Sequence, residues 1–206
     1  MHVYLDLDCL TKLVAFGLFD EAMKMLEADD IRIIDTFRYK CDNMRKKAEK
    51  KKEVEKADSY AISLKLMETF SVIEATPKEM PLVAELKRTN IDDGEAMLLV
   101  KLAMDDEPAR LLATGDNRFI SALGEANGLP DIIGNCKGRI ISLNHLLACL
   151  VRRMDYATLL AQMTAPLAQS MDGTVRMAFT RGSSQERTLE YLKAFTPQND
   201  YCVPDE

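Results

Sequence analysis

The sequence predicts an α/β protein in three layers, α/β/α, with a mostly parallel five-stranded sheet and a helical extension at its C-terminal end. Three observations predict it. Short apolar, β-prone runs alternate with longer segments of helical periodicity, the order that right-handed βαβ crossovers produce. At 206 residues the chain is long enough to bury a core without a disulfide or metal staple. Beyond about residue 150 the strand signals stop and helical or polar segments take over, so residues 1–150 read as the α/β domain and 151–206 as extension and tail.

The elements follow in order. His2–Leu5 is a short β-prone run ending in Asp6. Cys9–Phe16 and Phe19–Glu27 have helical spacing, and Ile31–Ile34 is a second strand. Asp35 to about Lys56 reads as one long charged helix, continued by apolar residues at helical spacing over Asp58–Phe70. Ser71–Ala75 is a third strand stopped by Pro77, and Pro81–Lys87 a short helix. Asp92-Asp93-Gly94-Glu95 opens a helix to about Met104, with acids in the first turn where the helix dipole favours them. Ala109–Thr114 is a fourth strand, closed by Gly115-Asp116. Phe119–Ala126 is a helix ended by Asn127-Gly128. Arg139–Leu143 is the fifth strand and Asn144–Met154 the helix after it. Tyr156–Met177 holds one or two helices, broken near Pro166 and Asp172-Gly173. Thr188–Phe195 is a further helical segment, and Thr196–Glu206 a tail.

Composition excludes several classes. Hydrophobic residues make up 47% and charged residues 29%, ordinary for a globular protein. The formal charge of −6 argues against a general nucleic-acid coat, though not against a local basic face. No apolar run is long enough for a membrane span. Met1–Leu18 carries Asp6 and Asp8 and lacks a basic start, unlike a signal peptide. The five cysteines (Cys9, Cys41, Cys136, Cys149, Cys202) have no Cys-x-x-Cys spacing, and only His2 and His145 could join them, so the expected setting is a reducing cytoplasm. His145 lies in an apolar helical pattern and reads as a packed histidine.

The chemistry lies in the acids. Loops at the carboxyl ends of parallel strands form the ligand crevice. Asp6 and Asp8 follow the first strand, Asp116 follows the fourth, and Glu95 starts the helix before that fourth strand. Asp6 to Glu95 is 89 residues and Glu95 to Asp116 is 21, yet this topology can bring all of them together. Several carboxylates in one pocket stay ionised only if a cation neutralises them. Hard oxygen donors without His or Cys favour Mg²⁺ or Mn²⁺. Such a centre activates water and stabilises charge on a phosphoryl oxygen, which suggests phosphodiester hydrolysis. Each acid also has a plain structural use: Asp92, Asp93 and Glu95 suit a helix N-terminus, and Asp116 and Asp8 suit helix caps.

Three segments carry a family resemblance. VYLDLDCL, DDGEAMLLVKLA and LLATGDNRF, in this order, resemble the first-strand, central-helix and Thr-x-Asp motifs of the PIN (PilT N-terminus) domain, and GRIISLNHLL resembles its closing strand and helix. The resemblance covers about residues 2–150. It implies a Mg²⁺/Mn²⁺-dependent ribonuclease in which Asp6, Glu95 and Asp116 are catalytic metal ligands, with Asp8 as a neighbouring ligand. Thr114 would support Asp116 through a hydroxyl hydrogen bond, and Asn117 would lie beside it. One position departs from the pattern: Lys40 stands where the family usually has another glutamate. The resemblance also allows a toxin of a toxin–antitoxin pair, with RNA as substrate and an antitoxin, another protein or a second copy of the chain as partner.

Between Arg38 and Lys56 lie nine basic and four acidic residues, a local charge of +5. Lys46, Lys47, Lys50 and Lys51 in its dense part are candidates for RNA phosphate contact, and a solvated helix is the structural alternative. Few aromatics lie nearby, so base stacking has little support. Two other functions compete. Asp6-Leu7-Asp8 with Gly115-Asp116 resembles the motifs of haloacid-dehalogenase-like phosphatases, with Asp6 as a phosphorylated nucleophile. Cys9-Leu10 and the unassigned Asp-Gly-Glu-Ala depart from that pattern. A non-catalytic interaction protein that kept the fold is the third reading, favoured by Lys40. Met154, Met163, Met171 and Met177 suit an interface or a core.

Overall fold

A computed structural model describes residues 1–89, 91–123, 130–180, 182–197 and 202. Five strands, β1 (His2–Leu5), β2 (Asp30–Ile34), β3 (Ser71–Ile73), β4 (Arg110–Thr114) and β5 (Ile140–Ser142), form one sheet in the order β3-β2-β1-β4-β5. Every pairing is parallel. The central strands are apolar because both their faces are covered: Val3, Tyr4, Leu5, Leu112 and Ala113 are essentially inaccessible. Val3, Leu5 and Leu112 each contribute roughly 1.5–3 kcal/mol by leaving water. The chain runs from β1 outward to β2 and β3, then returns past β1 to β4 and β5. Its switch point is the crevice between β1 and β4. Leu5 pairs with Ala113, so the loops after the two strands leave the sheet side by side.

The helices are α1 (Leu7–Ala15), α2 (Phe19–Met25), α3 (Thr36–Lys50), α4 (Val54–Met67), α5 (Met80–Leu86), α6 (Asp93–Met104), α7 (Asn117–Leu123), α8 (Pro130–Gly134), α9 (Leu143–Arg153), α10 (Tyr156–Met163), α11 (Pro166–Met171), α12 (Gly173–Ala178) and α13 (Gln185–Ala194). Helix α6 crosses β1, β2 and β4 and is flanked by α5 and α8. Helix α1 packs on β4 and α9 on β5, while α2 packs on α1 and α9. The expected three-layer architecture is thus present.

Two expectations change. The long charged helix is a hairpin of two, α3 and α4, turning at Lys51-Lys52 with Lys52 at φ 60°. No Gly, Pro or Asn marks that stop. Packing sets it: Cys41 and Ala48 of α3 are buried beside Ala57 and Tyr60 of α4, and the Cys41 thiol donates to the Tyr60 carbonyl at 3.6 Å. That burial outweighs the roughly 1–2 kcal/mol cost of one left-handed residue. The C-terminal stretch forms four helices, α10 to α13, each of α10, α12 and α13 capped at its start by Asp155, Asp172 or Ser184. They share the core of the sheet domain through Leu159, Met163, Val175, Phe179 and Leu192. Met163 is in that core and Met177 is exposed. The predicted stop at Asn127-Gly128 and most of the tail lie outside the described residues. Cys202 forms a single parallel bridge to Ile140.

At the amino end of the sheet, β1 and β2 carry a polar network. Asp105, just after α6, accepts from the Tyr4 hydroxyl at 2.8 Å and from Arg32 at 2.8 Å, and lies 2.9 Å from His2 Nδ1. Arg32 also reaches Asp30 at 2.6 Å. Burial would raise the Asp105 carboxyl, but these hydrogen bonds and the Arg32 charge hold it down at about 2. Burial and the bond to Asp105 push the Tyr4 phenol up to about 12.

Candidate functional site

A cavity of about 590 Å³ opens at the carboxyl end of the sheet, at the switch point. Asp6, Asp8, Glu95 and Asp116 all line it, together with Asp92 and Asp172. The sequence-predicted acids, 89 and 21 residues apart, therefore share one hollow.

Asp6 is the first residue after β1 and the N-cap of α1, yet its side chain makes no capping bond to the helix. Its carboxylate is 9% exposed and accepts from the Thr114 hydroxyl at 3.3 Å. Burial and then the charge of Asp8 raise it to about 6, against the pull of amide and hydroxyl donors. Thr114 connects two predicted ligands: its oxygen also accepts the Asp116 backbone N–H at 3.1 Å.

Asp116 begins α7. Its carboxylate accepts from the Arg118 amide at 2.8 Å and from the Arg118 guanidinium at 2.8 Å. Those bonds hold its pKa below the ordinary carboxylate range. The Arg118 side chain is 92% exposed, so this partner can leave by rotating into solvent. Glu95 belongs to a reciprocal capping box: Asp92 accepts from the Glu95 amide at 2.9 Å, and Glu95 accepts from the Asp92 amide at 3.2 Å. Burial raises the Glu95 carboxyl to about 7; the Asp92 amide opposes this, and the charges of Asp92, Asp116 and Asp6 add to it. Gly94 lets the start of α6 approach α3, since a Cβ there would meet the Phe37 ring at 3.2 Å.

Asp8 lines the cavity as one half of an ion pair. Its carboxylate lies 2.6 Å from Lys12, one turn along α1, and Lys12 lies 2.6 Å from Asp172 in the C-terminal extension. Burial alone would lower the Lys12 pKa, but the charges and hydrogen bonds of the two aspartates outweigh it and raise it. Gly115 makes room for Asp8, because a Cβ at 115 would collide with its carboxylate.

Lys40 lines the cavity from α3, on the same face as Phe37 and Met44, with its ammonium 5.9 Å from the Phe37 ring centre. Asp42 turns away and pairs with Arg45 and Lys46. Asn117 also lines the cavity. Its side-chain amide and that of Asn144 both donate to the Phe195 carbonyl at 2.9 Å, tying the end of α13 to the rim. Of the basic candidates, Lys46 is committed to Asp42, and Lys50 is exposed. Lys47 and Lys51 surround a second, smaller hollow with Lys56 and Tyr60. Met44 lines both hollows, so they adjoin. His145 is buried in α9 and does not line the cavity.

Sequence reasoning missed Lys12, Asp172 and Arg118. Lys12 had a signal, its i, i+4 spacing from Asp8. Asp172 had none beyond its role as a breaker, because only the packing of α11 on α1 brings it near.

Among the described residues, no three His, Cys, Asp or Glu side chains are gathered in a metal-holding group. The donor chemistry still fits a hard divalent cation: all-oxygen donors, Asp6 buried and Glu95 half-buried, both raised first by burial and further by neighbouring carboxylate charges. No helix among the described residues is long and apolar enough to cross a membrane. Comparison with protein-family models, with curated protein sequences and with solved structures gives no match.

Proposed function

We propose that the chain is a Mg²⁺- or Mn²⁺-dependent ribonuclease of PIN type. One observation carries the reading: Asp6, Glu95 and Asp116, from three separate segments, line a single cavity at the switch point of a parallel sheet. Asp6, Glu95 and Asp116 would hold the ion. When bound, it supplies an activated water and charge neutralisation at a phosphoryl oxygen. The chain's own residues do the rest. Thr114 fixes Asp6 relative to the Asp116 loop. Lys47 and Lys51, beside the adjoining hollow, and the exposed Lys50 of the same helix would take the phosphates of a single strand entering from α3. The buried Cys9, Cys41 and Cys136 suit the reducing cytoplasm in which such an enzyme would meet RNA.

The test is cleavage of single-stranded RNA with Mn²⁺, comparing the native chain with Asp6→Asn and Asp116→Asn. Loss in both variants with folding retained supports the reading. Cleavage retained in both overturns it.

A second reading has its own support. Lys40 lines the cavity and Arg118 occupies Asp116, the features of a fold kept for interaction after catalysis is lost. A native chain that neither cleaves RNA nor gains thermal stability from Mn²⁺ favours it.

A further inference from the structure

We propose that Lys12 is a built-in cation that closes the Asp8 side of the cavity, so that one divalent ion per chain is held by Asp6, Glu95 and Asp116 without Asp8. This rests on the metal-dependent reading above and concerns how many ions the cavity takes. It also overrides the expectation that Asp8 is a ligand.

The geometry is specific. The Lys12 ammonium stands 2.6 Å from an Asp8 oxygen and 2.6 Å from an Asp172 oxygen, and its side chain is 12% exposed. Asp172 is itself fixed, because its other oxygen accepts the Val175 amide at 3.0 Å to cap α12. Asp8 lies between Lys12 and Gly115, with its side chain half-exposed. The ammonium already stands against the Asp8 carboxylate, and a second positive charge placed there would be repelled. Lys12 is matched by two carboxylates, which argues against it as a phosphate-gripping group. The C-terminal extension gains a part in the site, since Asp172 keeps Lys12 in place. The acids nearest the ion are then the three on the β1, α6 and β4 ends.

The experiment is a Mn²⁺ titration of the full chain, reading free Mn²⁺ by electron paramagnetic resonance. The native chain takes up one Mn²⁺. Asp116→Asn weakens binding at least tenfold, whereas Asp8→Asn changes it less than threefold. Lys12→Met adds a second Mn²⁺ or tightens binding at least tenfold, and adding Asp172→Asn to that variant removes the gain. Lys12→Arg keeps the native stoichiometry. Asp8→Asn weakening binding as much as Asp116→Asn, or Lys12→Met leaving binding unchanged, overturns the proposal while leaving the metal reading intact. Native chain without Mn²⁺ uptake at millimolar concentration overturns both. If Lys12→Met fails to fold, the Asp8→Asn comparison decides alone.

Discussion

The two ends of β1 treat acids in opposite ways. At its amino end, Asp105 is surrounded by Tyr4, His2 and Arg32 and is held down at about 2. At its carboxyl end, burial first, and then the charges of neighbouring carboxylates, raise Asp6 and Glu95 to about 6 and about 7. Four residues of strand separate a satisfied charge from a crowded one. The first arrangement stabilises the fold on its own. The second costs stability while ionised, and raised carboxyls of this kind are more usual at functional sites than at structural ones.

The contrast can be broken most sharply through the carboxyl end. Asp6→Asn or Asp116→Asn should reduce Mn²⁺-dependent RNA cleavage at least 100-fold, measured as single-turnover rates. Asp105→Ala, at the other end, should leave cleavage nearly intact but cost about 2 kcal/mol in urea unfolding at pH 7, because Arg32 and Tyr4 lose a shared charged acceptor.

Acid titration sharpens the contrast, because the two ends respond with opposite signs. Asp105 has a lowered pKa, so its contribution is present above about pH 4 and is lost as pH falls toward about 2. Asp6 has a raised pKa, so protonation favours the fold: stability is greatest below about pH 4 and falls as pH rises through about 6. Asp6→Asn should therefore be more stable than the native chain by about 1–2 kcal/mol at pH 8 without divalent ions. That difference should vanish near pH 4, as read from urea midpoints across the range. A constant difference at every pH would mean that folding does not raise the Asp6 carboxyl. The smallest effect belongs to the exposed lysines. Replacing Lys47, Lys50 and Lys51 by Gln should change stability by less than about 0.5 kcal/mol. It should lower the salt slope of single-strand RNA binding by about 2, at roughly 0.7 per phosphate contact.

Much of this contrast was legible beforehand, at one end only. The strands and the Asp6 and Asp116 positions could be read because strand-end acids have a fixed place in parallel topology, and Glu95 because it opens the helix that leads into β4. The Asp105 network could not, since nothing local links His2, Arg32 and Asp105 before β1 pairs with β2 and α6 delivers Asp105. The α3–α4 turn was missed because packing chose a lysine where a glycine would have announced it. Asp172 was hidden for the same reason: its partner Lys12 lies 160 residues away and meets it only across the α1–α11 contact. Pairwise spacing finds neighbours on one helix and is silent about neighbours across the core.

The missing side chain at Gly115 reaches beyond local sterics. A methyl group there would take the place of the Asp8 carboxylate, so the two positions interlock like adjacent teeth. A side chain at 115 requires the Asp8 carboxylate to turn away from Lys12. A library that randomises residue 115 alone should favour glycine, whereas one that varies 8 and 115 together should admit alanine or serine at 115 more readily once residue 8 is small. In every such survivor Lys12 would be left with Asp172 alone, and the cavity would lose one negative charge as the condition for a side chain at 115.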